Sequence, residues 1–144
     1  MTTSRQFCTF YVNGLFFGVE VNQVQEVIRY QEMTRVPIAS PVIRGLINLR
    51  GQIVTAFDLR QRLELGERPF EQLPMNVVVR TADGPMSLLV DEIGDVVEVA
   101  EESFERPPET LDGVARELIR GAYKLEGQLL LHLDIETTVQ TGVN

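Results

Sequence analysis

The chain has 144 residues and a mass of 16.2 kDa, room for one domain or two very small ones but not for a catalytic domain with a separate regulator. Apolar residues make up 44% and charged residues 24%, an ordinary globular composition that excludes disorder of the chain as a whole. Thirteen Lys and Arg against 21 Asp and Glu give a net charge of −8, a field that repels the phosphates of nucleic acid.

In chain order, the first predicted element is a strand carrying Phe7, Cys8 and Phe10, followed by Asn13-Gly14, a strong hairpin signal between two apolar runs. A short helical turn is expected over Asn22 to Val27, with Asn22 as its cap. The run from Ile43 reverses at Gly51-Gln52 into a strand on which Ile53, Phe57 and Leu59 are expected to share one side. A helix over Leu59 to Leu65, ended by Gly66, opens a connection spanning 60–76. A second apolar run begins near Val77 and turns at Asp83-Gly84. After a carboxylate-rich stretch come a helical turn at Arg116 to Arg120, a reversal at Gly127-Gln128 and a strand with Leu129, Leu131, Leu133 and Ile135 on one face.

This order of elements occurs twice. Ile43-Arg-Gly-Leu-Ile-Asn-Leu-Arg-Gly-Gln-Ile-Val-Thr-Ala-Phe-Asp-Leu59 and Ile119-Arg-Gly-Ala-Tyr-Lys-Leu-Glu-Gly-Gln-Leu-Leu-Leu-His-Leu-Asp-Ile135 agree at 7 of 17 positions, 76 residues apart. Upstream, Gly18–Val27 aligns with Leu88–Val97 at a shift near 70. The repeats run about 7–59 and 77–135, joined by 60–76, with the extra residues of the second between Phe104 and Leu118. A repeat of this size with four or five short strands closes most easily as a small, partly open barrel, so the expected fold is all-β: two such barrels, packed or exchanging strands, with short helices. Charge distinguishes the repeats: 7–59 holds four acidic and four basic residues, whereas 77–135 holds thirteen acidic and five basic, net −8. Equal folds with unequal surfaces fit a bivalent connector.

No nucleophile with a base, metal cluster or phosphate loop is spelled out. His132 is the only histidine and is expected opposite the apolar side of its strand, exposed or at a sheet edge. Cys8 reads as a packing residue, since no neighbouring base would lower its pKa, and with no second cysteine it forms no internal disulfide. Asp91, Glu92, Asp95, Glu98, Glu101, Glu102, Glu105, Glu109 and Asp112 read as a solvated acidic face. No cofactor and no metal are expected. No signal peptide precedes the first strand, and no apolar run reaches the roughly 20 residues of a membrane span, so a cytoplasmic protein without direct membrane contact is expected.

Two segments resist a purely structural reading. Arg50 in Asn48-Leu-Arg-Gly51 is matched by Glu126 in Lys124-Leu-Glu-Gly127, so the turn does not require a cation there. In Val24-Gln-Glu-Val27, Glu26 has no core role.

Val24-Gln-Glu-Val-Ile28, Arg35-Val-Pro37, Ile43-Arg-Gly-Leu-Ile-Asn-Leu-Arg-Gly-Gln-Ile-Val54, Phe57-Asp-Leu-Arg60 and Val90-Asp-Glu-Ile93 together resemble the CheW family of chemotaxis coupling proteins, in the same order over essentially the whole chain. The resemblance implies one CheW-like domain over 1–144, built as a pair of SH3-like five-stranded barrels that exchange strands. It also implies a non-catalytic adaptor joining the cytoplasmic tips of chemoreceptors to the regulatory domain of a CheA-type histidine kinase, placed at the inner face of the membrane through receptor arrays. Val24, Glu26, Val27, Asn48 and Arg50 are then the expected receptor-binding residues, in a groove between the barrels, and Arg44 a kinase-side residue. Thr55-Ala56 departs from the family's usual proline and aliphatic residue without touching that groove. The alternatives are an adaptor of a non-flagellar chemosensory pathway, such as one with pilus output, and an unrelated small β-barrel interaction module.

Overall fold

The computed structural model describes residues 4–37, 40–69, 71–111 and 113–140. In chain order the elements are β1 (Ser4–Val12), β2 (Leu15–Glu20), β3 (Val24–Ile28), β4 (Ile43–Leu49), β5 (Gln52–Asp58), α1 (Leu59–Arg62), β6 (Met75–Thr81), β7 (Gly84–Val90), β8 (Glu92–Ala100), β9 (Phe104–Glu105), α2 (Gly113–Leu118), β10 (Ile119–Leu125), β11 (Gln128–Leu133) and α3 (Ile135–Val139). One sheet has the order β8-β1-β2-β11-β10-β9 and the other β3-β6-β7-β5-β4. The chain is mostly β, as its patterning implies.

Neither repeat completes a sheet by itself. The β1–β2 hairpin pairs with β8 and, in parallel, with β11 of the second repeat; the β6–β7 hairpin pairs with β3 and, in parallel, with β5 of the first. Hairpins are therefore exchanged between the halves. Each sheet also curls until one continuous stretch joins its two edges, the route by which a small barrel closes. β8 and β9 lie on opposite edges of the first sheet, yet only the single turn Glu101–Ser103 separates them. In the second sheet the chain leaves β3 at one edge and returns at Thr34, whose N–H and carbonyl bond Leu46 on β4 at the other.

The matching sequences adopt matching structures. β4 meets β5, and β10 meets β11, with the same two-residue connection and the same register shift near the Ile-Arg-Gly start. The glycine of that motif has a steric reason: a Cβ on Gly45 would sit 2.5 Å from the Thr34 carbonyl oxygen, and one on Gly121 would run into the Phe104 ring and lie 2.8 Å from the Glu105 carbonyl oxygen. Both glycines admit the strand that closes the barrel.

Three apolar clusters follow from alternation along these strands. Ile47, Leu49, Val54, Ala56, Val78 and Leu89 fill one barrel, and Phe7, Phe16, Val99, Tyr123 and Leu130 fill the other. A larger one, including Phe10, Phe17, Phe57, Val77, Val79, Leu131 and Leu133, lies between the sheets. Strands flanked on both sides, such as β5 and β11, therefore bury both faces.

That double burial corrects the expectation for His132, which is only 2% exposed. β11 runs between β2 and β10, so the side opposite Leu131 and Leu133 packs inside a barrel, where the imidazole lies 4.8 Å from the Phe7 ring. Ile53, expected to be buried with Phe57 and Leu59, is 60% exposed at the tip of the β4–β5 hairpin. The helical turn expected over Asn22 to Val27 is a 3-10 turn at Val21–Gln23 with no side-chain cap, and the chain from Val24 is strand. Pairing with β6 and two bonds from Arg80 Nη1 to the Asn22 and Val24 carbonyls hold it extended. The other expected helices shift as well. α1 ends at Arg62, because Glu64 turns left-handed, and α2 stops at Leu118, where β10 pairing takes over.

Asp91 corrects the reading of a uniformly solvated acidic face. Its side chain is 7% exposed and lies between β7 of one sheet and β8 of the other. Arg60 binds both its oxygens (2.7–3.1 Å), Arg68 Nε donates to Oδ1 at 3.0 Å, and the Asn13 amide donates to Oδ2 at 2.7 Å. Burial alone would raise the Asp91 pKa. The Arg60 hydrogen bonds, the Asn13 amide and the guanidinium charge outweigh it and hold the carboxyl below its ordinary value.

Asp91→Asn leaves two guanidiniums without their counter-charge and is expected to cost about 3–5 kcal/mol in chemical denaturation, the range for a broken buried pair. A carboxyl depressed in the folded state contributes fully above its unfolded pKa of about 3.9 and loses that contribution as pH falls through the lower folded value. The acid limb of stability against pH should therefore be shallower in Asp91→Asn than in the parent chain. Equal acid limbs would show that Asp91 is not a linked group.

Candidate functional site

The expected receptor-side residues converge on one end of the second sheet. β3 supplies Val24, Glu26 and Val27, and the β4–β5 hairpin supplies Asn48 and Arg50. Although β3 and β4 are opposite edges of the sheet, its curl brings the Arg50 guanidinium onto Glu26, which accepts a hydrogen bond from Arg50 Nη2. This bond, with the Arg50 charge, holds the Glu26 carboxyl below its ordinary range.

Asn48 and Arg50 have different parts in the hairpin. Asn48 Oδ1 accepts from the Gly51 amide at 2.8 Å, a side-chain turn that shapes the connection. Arg50 (φ 51°) and Gly51 (φ 89°) both lie in the left-handed region, as a tight hairpin of this hand requires. Arg50 is unusual there, because a side chain normally disfavours that backbone. Glu126, its counterpart in the second repeat, is not among the described non-glycine residues of positive φ.

A β-bulge sorts the β3 residues by face. The β3–β6 register runs Val24↔Val79, Glu26↔Val78, Val27↔Val77, so Gln25 is the extra residue. Val24 and Val27 consequently share the face of Val77 and Val79, toward the space between the sheets, while Glu26 shares the face of Val78, toward the barrel end where Arg50 waits. In an unbulged strand, Val24 and Glu26 would lie on one face. Val24 is half-buried against the central core, and Val27 is 40% exposed.

Arg44 stands at the other end of β4 from Arg50, about 20 Å along a strand at roughly 3.3 Å per residue. Its Nε donates to Asp58 Oδ2 at 2.7 Å, and Asp58 Oδ1 caps α1 by accepting from the Arg60 and Gln61 amides. Arg44 thus belongs to a different surface from the Glu26–Arg50 pair.

The buried pair Arg60–Asp91 and its third member Arg68 escaped sequence reasoning. Asp58-Leu-Arg60 and Val90-Asp-Glu-Ile93 were visible as motifs, but nothing in a linear sequence joins residues 31 apart. Cys8 is half-buried and burial pushes its thiol up, away from the thiolate a nucleophile needs. Among the described residues, no three His, Cys, Asp or Glu side chains are grouped to hold a metal, and no helix is long and apolar enough to cross a membrane.

Because Glu26 is depressed by Arg50, Arg50→Ala should return its carboxyl titration to the ordinary glutamate range, measured by carbon-detected NMR of the carboxyl. Arg50→Gly should shift Glu26 equally while leaving the melting temperature unchanged or higher, since glycine relieves the left-handed backbone. An unmoved Glu26 titration would dissolve the pair.

A family model described as a CheW-like domain matches residues 6–142. The chain is 34% identical over 132 residues to a chemotaxis protein CheW of Bacillus subtilis, covering 92% of this chain and 85% of that protein. Over 117 residues it is 25% identical to a protein named PilI of Pseudomonas aeruginosa, covering 81% and 66% respectively. Among solved structures, the scaffolding protein TtCheW of Thermoanaerobacter tengcongensis superposes with a TM-score of 0.87 over 97% of this chain and 95% of that one, at 23% identity, a likeness of fold. A family model spanning nearly the whole sequence, together with a relative above 30% identity over most of both chains, shows that this chain belongs to the CheW-like domain family.

Proposed function

We propose that the chain is a non-catalytic cytoplasmic adaptor that couples the cytoplasmic tips of chemoreceptors to the regulatory domain of a CheA-type histidine kinase. The observation that carries this reading is the separation of two polar surfaces along β4: the pair that Arg50 makes with Glu26 of β3 at its turn end, and Arg44 at its start. An adaptor must hold both partners without their competing, and linkage then raises the local concentration of one near the other. Val24 and Val27 face the space between the sheets and fit the apolar seat that an amphipathic receptor helix needs, with the Glu26–Arg50 pair on the opposite face of β3 as its polar margin. Relatives named both CheW and PilI support the adaptor role above any single output pathway.

In co-sedimentation, kinase should pellet with receptor only when this chain is present, and neither partner should displace the other. Val27→Asp is the sharpest single change, because Val27 is exposed enough for the fold to survive: receptor capture should fall at least tenfold with kinase capture intact. Arg50→Glu sets a carboxylate beside Glu26 and should likewise weaken receptor binding, whereas Glu126→Arg, at the matching turn of the second repeat, should not. Stability changes for these surface sites should stay within about 0.5 kcal/mol. Competition between the partners, or equal losses from Arg50→Glu and Glu126→Arg, would overturn the reading.

A further inference from the structure

The Asn13-Gly14 turn between β1 and β2 is exposed, yet its near side is clamped to the crossing between the sheets. The Asn13 amide donates to Asp91 Oδ2 at 2.7 Å, and the Asp91 amide donates to the Tyr11 carbonyl at 2.9 Å. The far side is held by nothing comparable. Among the described residues, neither the Asn13 carboxamide nor the Gly14 amide has a hydrogen-bond partner, and the space about the Gly14 Cα is open.

Asparagine is chemically labile, because the backbone nitrogen of the next residue can attack its side-chain carbonyl carbon. A glycine in that next position has no side chain to obstruct the attack. The other described asparagines lack this combination. Asn22 is exposed but precedes Gln23. Asn48 precedes Leu49, and its Oδ1 is held by the Gly51 amide. Asn76 is buried before Val77 and bonded to the Arg29 carbonyl and the Ser87 hydroxyl. In the matching turn Asp83-Gly84, the leaving group is poorer than ammonia, and the Thr81 hydroxyl ties the Asp83 amide (3.1 Å) to the Gly84 carbonyl (2.6 Å).

We propose that Asn13-Gly14 is a modification site, where the folded chain forms a succinimide and then isoaspartate, and that this product loosens the Asp91 junction. The Gly14 nitrogen bonds Asn13 Cγ, the Cγ–Nδ2 bond breaks, and the proton of the attacking amide passes to the nitrogen that leaves as ammonia. Water then opens the ring. Cleavage at Cγ restores the peptide as aspartate, whereas cleavage at the main-chain carbonyl carries the chain through Cγ and leaves the α-carboxylate free. The second route adds one carbon to the main chain inside a two-residue connection, with Val12 opposite Leu15, and draws the Asn13 amide off Asp91. The first keeps the main chain, and aspartate tolerates the left-handed φ of 52°. Its added charge is tolerated as well, since Arg60 and Arg68 outnumber Asp91 at the junction.

The test holds the full chain folded in mildly alkaline buffer and follows it by peptide mapping with mass spectrometry and by isoaspartyl-specific methylation, with products separated by ion exchange. Asn13 should convert roughly tenfold faster than Asn22, as a labile amide beside an unhindered nitrogen. Asn13→Gly, which suits the left-handed turn, should abolish the isoaspartyl signal and keep the fold. The isoaspartyl fraction should melt below the parent chain, and its Asp91 carboxyl should titrate higher for want of the Asn13 amide. Asn13→Asp should melt with the parent. Conversion no faster at Asn13 than at Asn22, or an isoaspartyl signal that persists in Asn13→Gly, would overturn the site. An isoaspartyl fraction with the parent's melting temperature and Asp91 titration would overturn the link to the junction, and an equal loss in Asn13→Asp would overturn the part played by the lengthened turn.

Discussion

Asp91 occupies the single residue between β7 and β8, where the chain leaves one sheet for the other, and its buried carboxylate gathers donors from three separate stretches of sequence. Asn13 belongs to the β1–β2 hairpin of the first sheet, Arg60 to the helix that follows β5 of the second, and Arg68 to the connection between the repeats. The Asp91 amide completes the knot by donating to the Tyr11 carbonyl at 2.9 Å. A carboxylate at this crossing is useful because two guanidiniums and an amide can converge on its oxygens, which no apolar residue of similar volume could arrange. The same fact makes it a vulnerability, since removing the anion strands two buried cations at once.

The other half solves the equivalent problem with less charge. Glu136 stands 76 residues after Arg60, on α3, and its carboxylate accepts directly from the Ala82 amide in the turn of the β6–β7 hairpin at 3.0 Å. In both halves an exchanged hairpin is anchored at its turn to a helix that follows a strand of the other sheet, α1 after β5 and α3 after β11. One anchor runs through an acid held by an arginine, and the other through an acid alone. Arg62 links the two helices by donating to the Thr138 carbonyl at 2.8 Å, near the C-terminal end of α3, where a cation suits the exposed carbonyls. Exchange thus leaves each sheet dependent on the other's strands and helix, and the largest apolar cluster lies between them rather than inside either barrel.

How far this was legible from the sequence depended on distance along the chain. Hairpins joined by Asn13-Gly14, Asp83-Gly84 and the two Gly-Gln turns are local, and the recurrence of Ile-Arg-Gly at 43 and 119 pointed to one structure used twice. The pairing of β2 with β11 joins residues more than 110 apart, and no alternation pattern says which hairpin completes which sheet. His132 alternates with leucines, as an exposed residue would, yet β11 is covered on both faces by neighbours drawn from the other end of the chain. Val24 and Glu26 looked like neighbours on one face until the bulge at Gln25 separated them. Of the candidate site, the residue types and the Arg50–Glu126 contrast were legible. The ion pair that joins Glu26 to Arg50 was not, because it forms across the curl of a sheet.

That contrast carries the strongest physical argument for a role beyond folding. The two hairpins have the same length and register, yet the backbone is left-handed at Arg50 and not at Glu126, so the fold does not demand the Arg50 conformation for a connection of this length. Arg50 takes a left-handed backbone there, a conformation that costs a residue with a Cβ about 1 kcal/mol and that glycine adopts freely. The Arg50 side chain is mostly exposed, and an ion pair with a hydrated partner contributes little to stability and is screened by salt. A strained backbone holding an arginine in a weak surface pair is a poor arrangement if the pair serves stability. It is a reasonable one if the guanidinium must be held at a fixed height at the barrel end, on the opposite face of β3 from Val27, with donors left over for a further partner, because Glu26 then acts as a positioning group and the turn sets the reach.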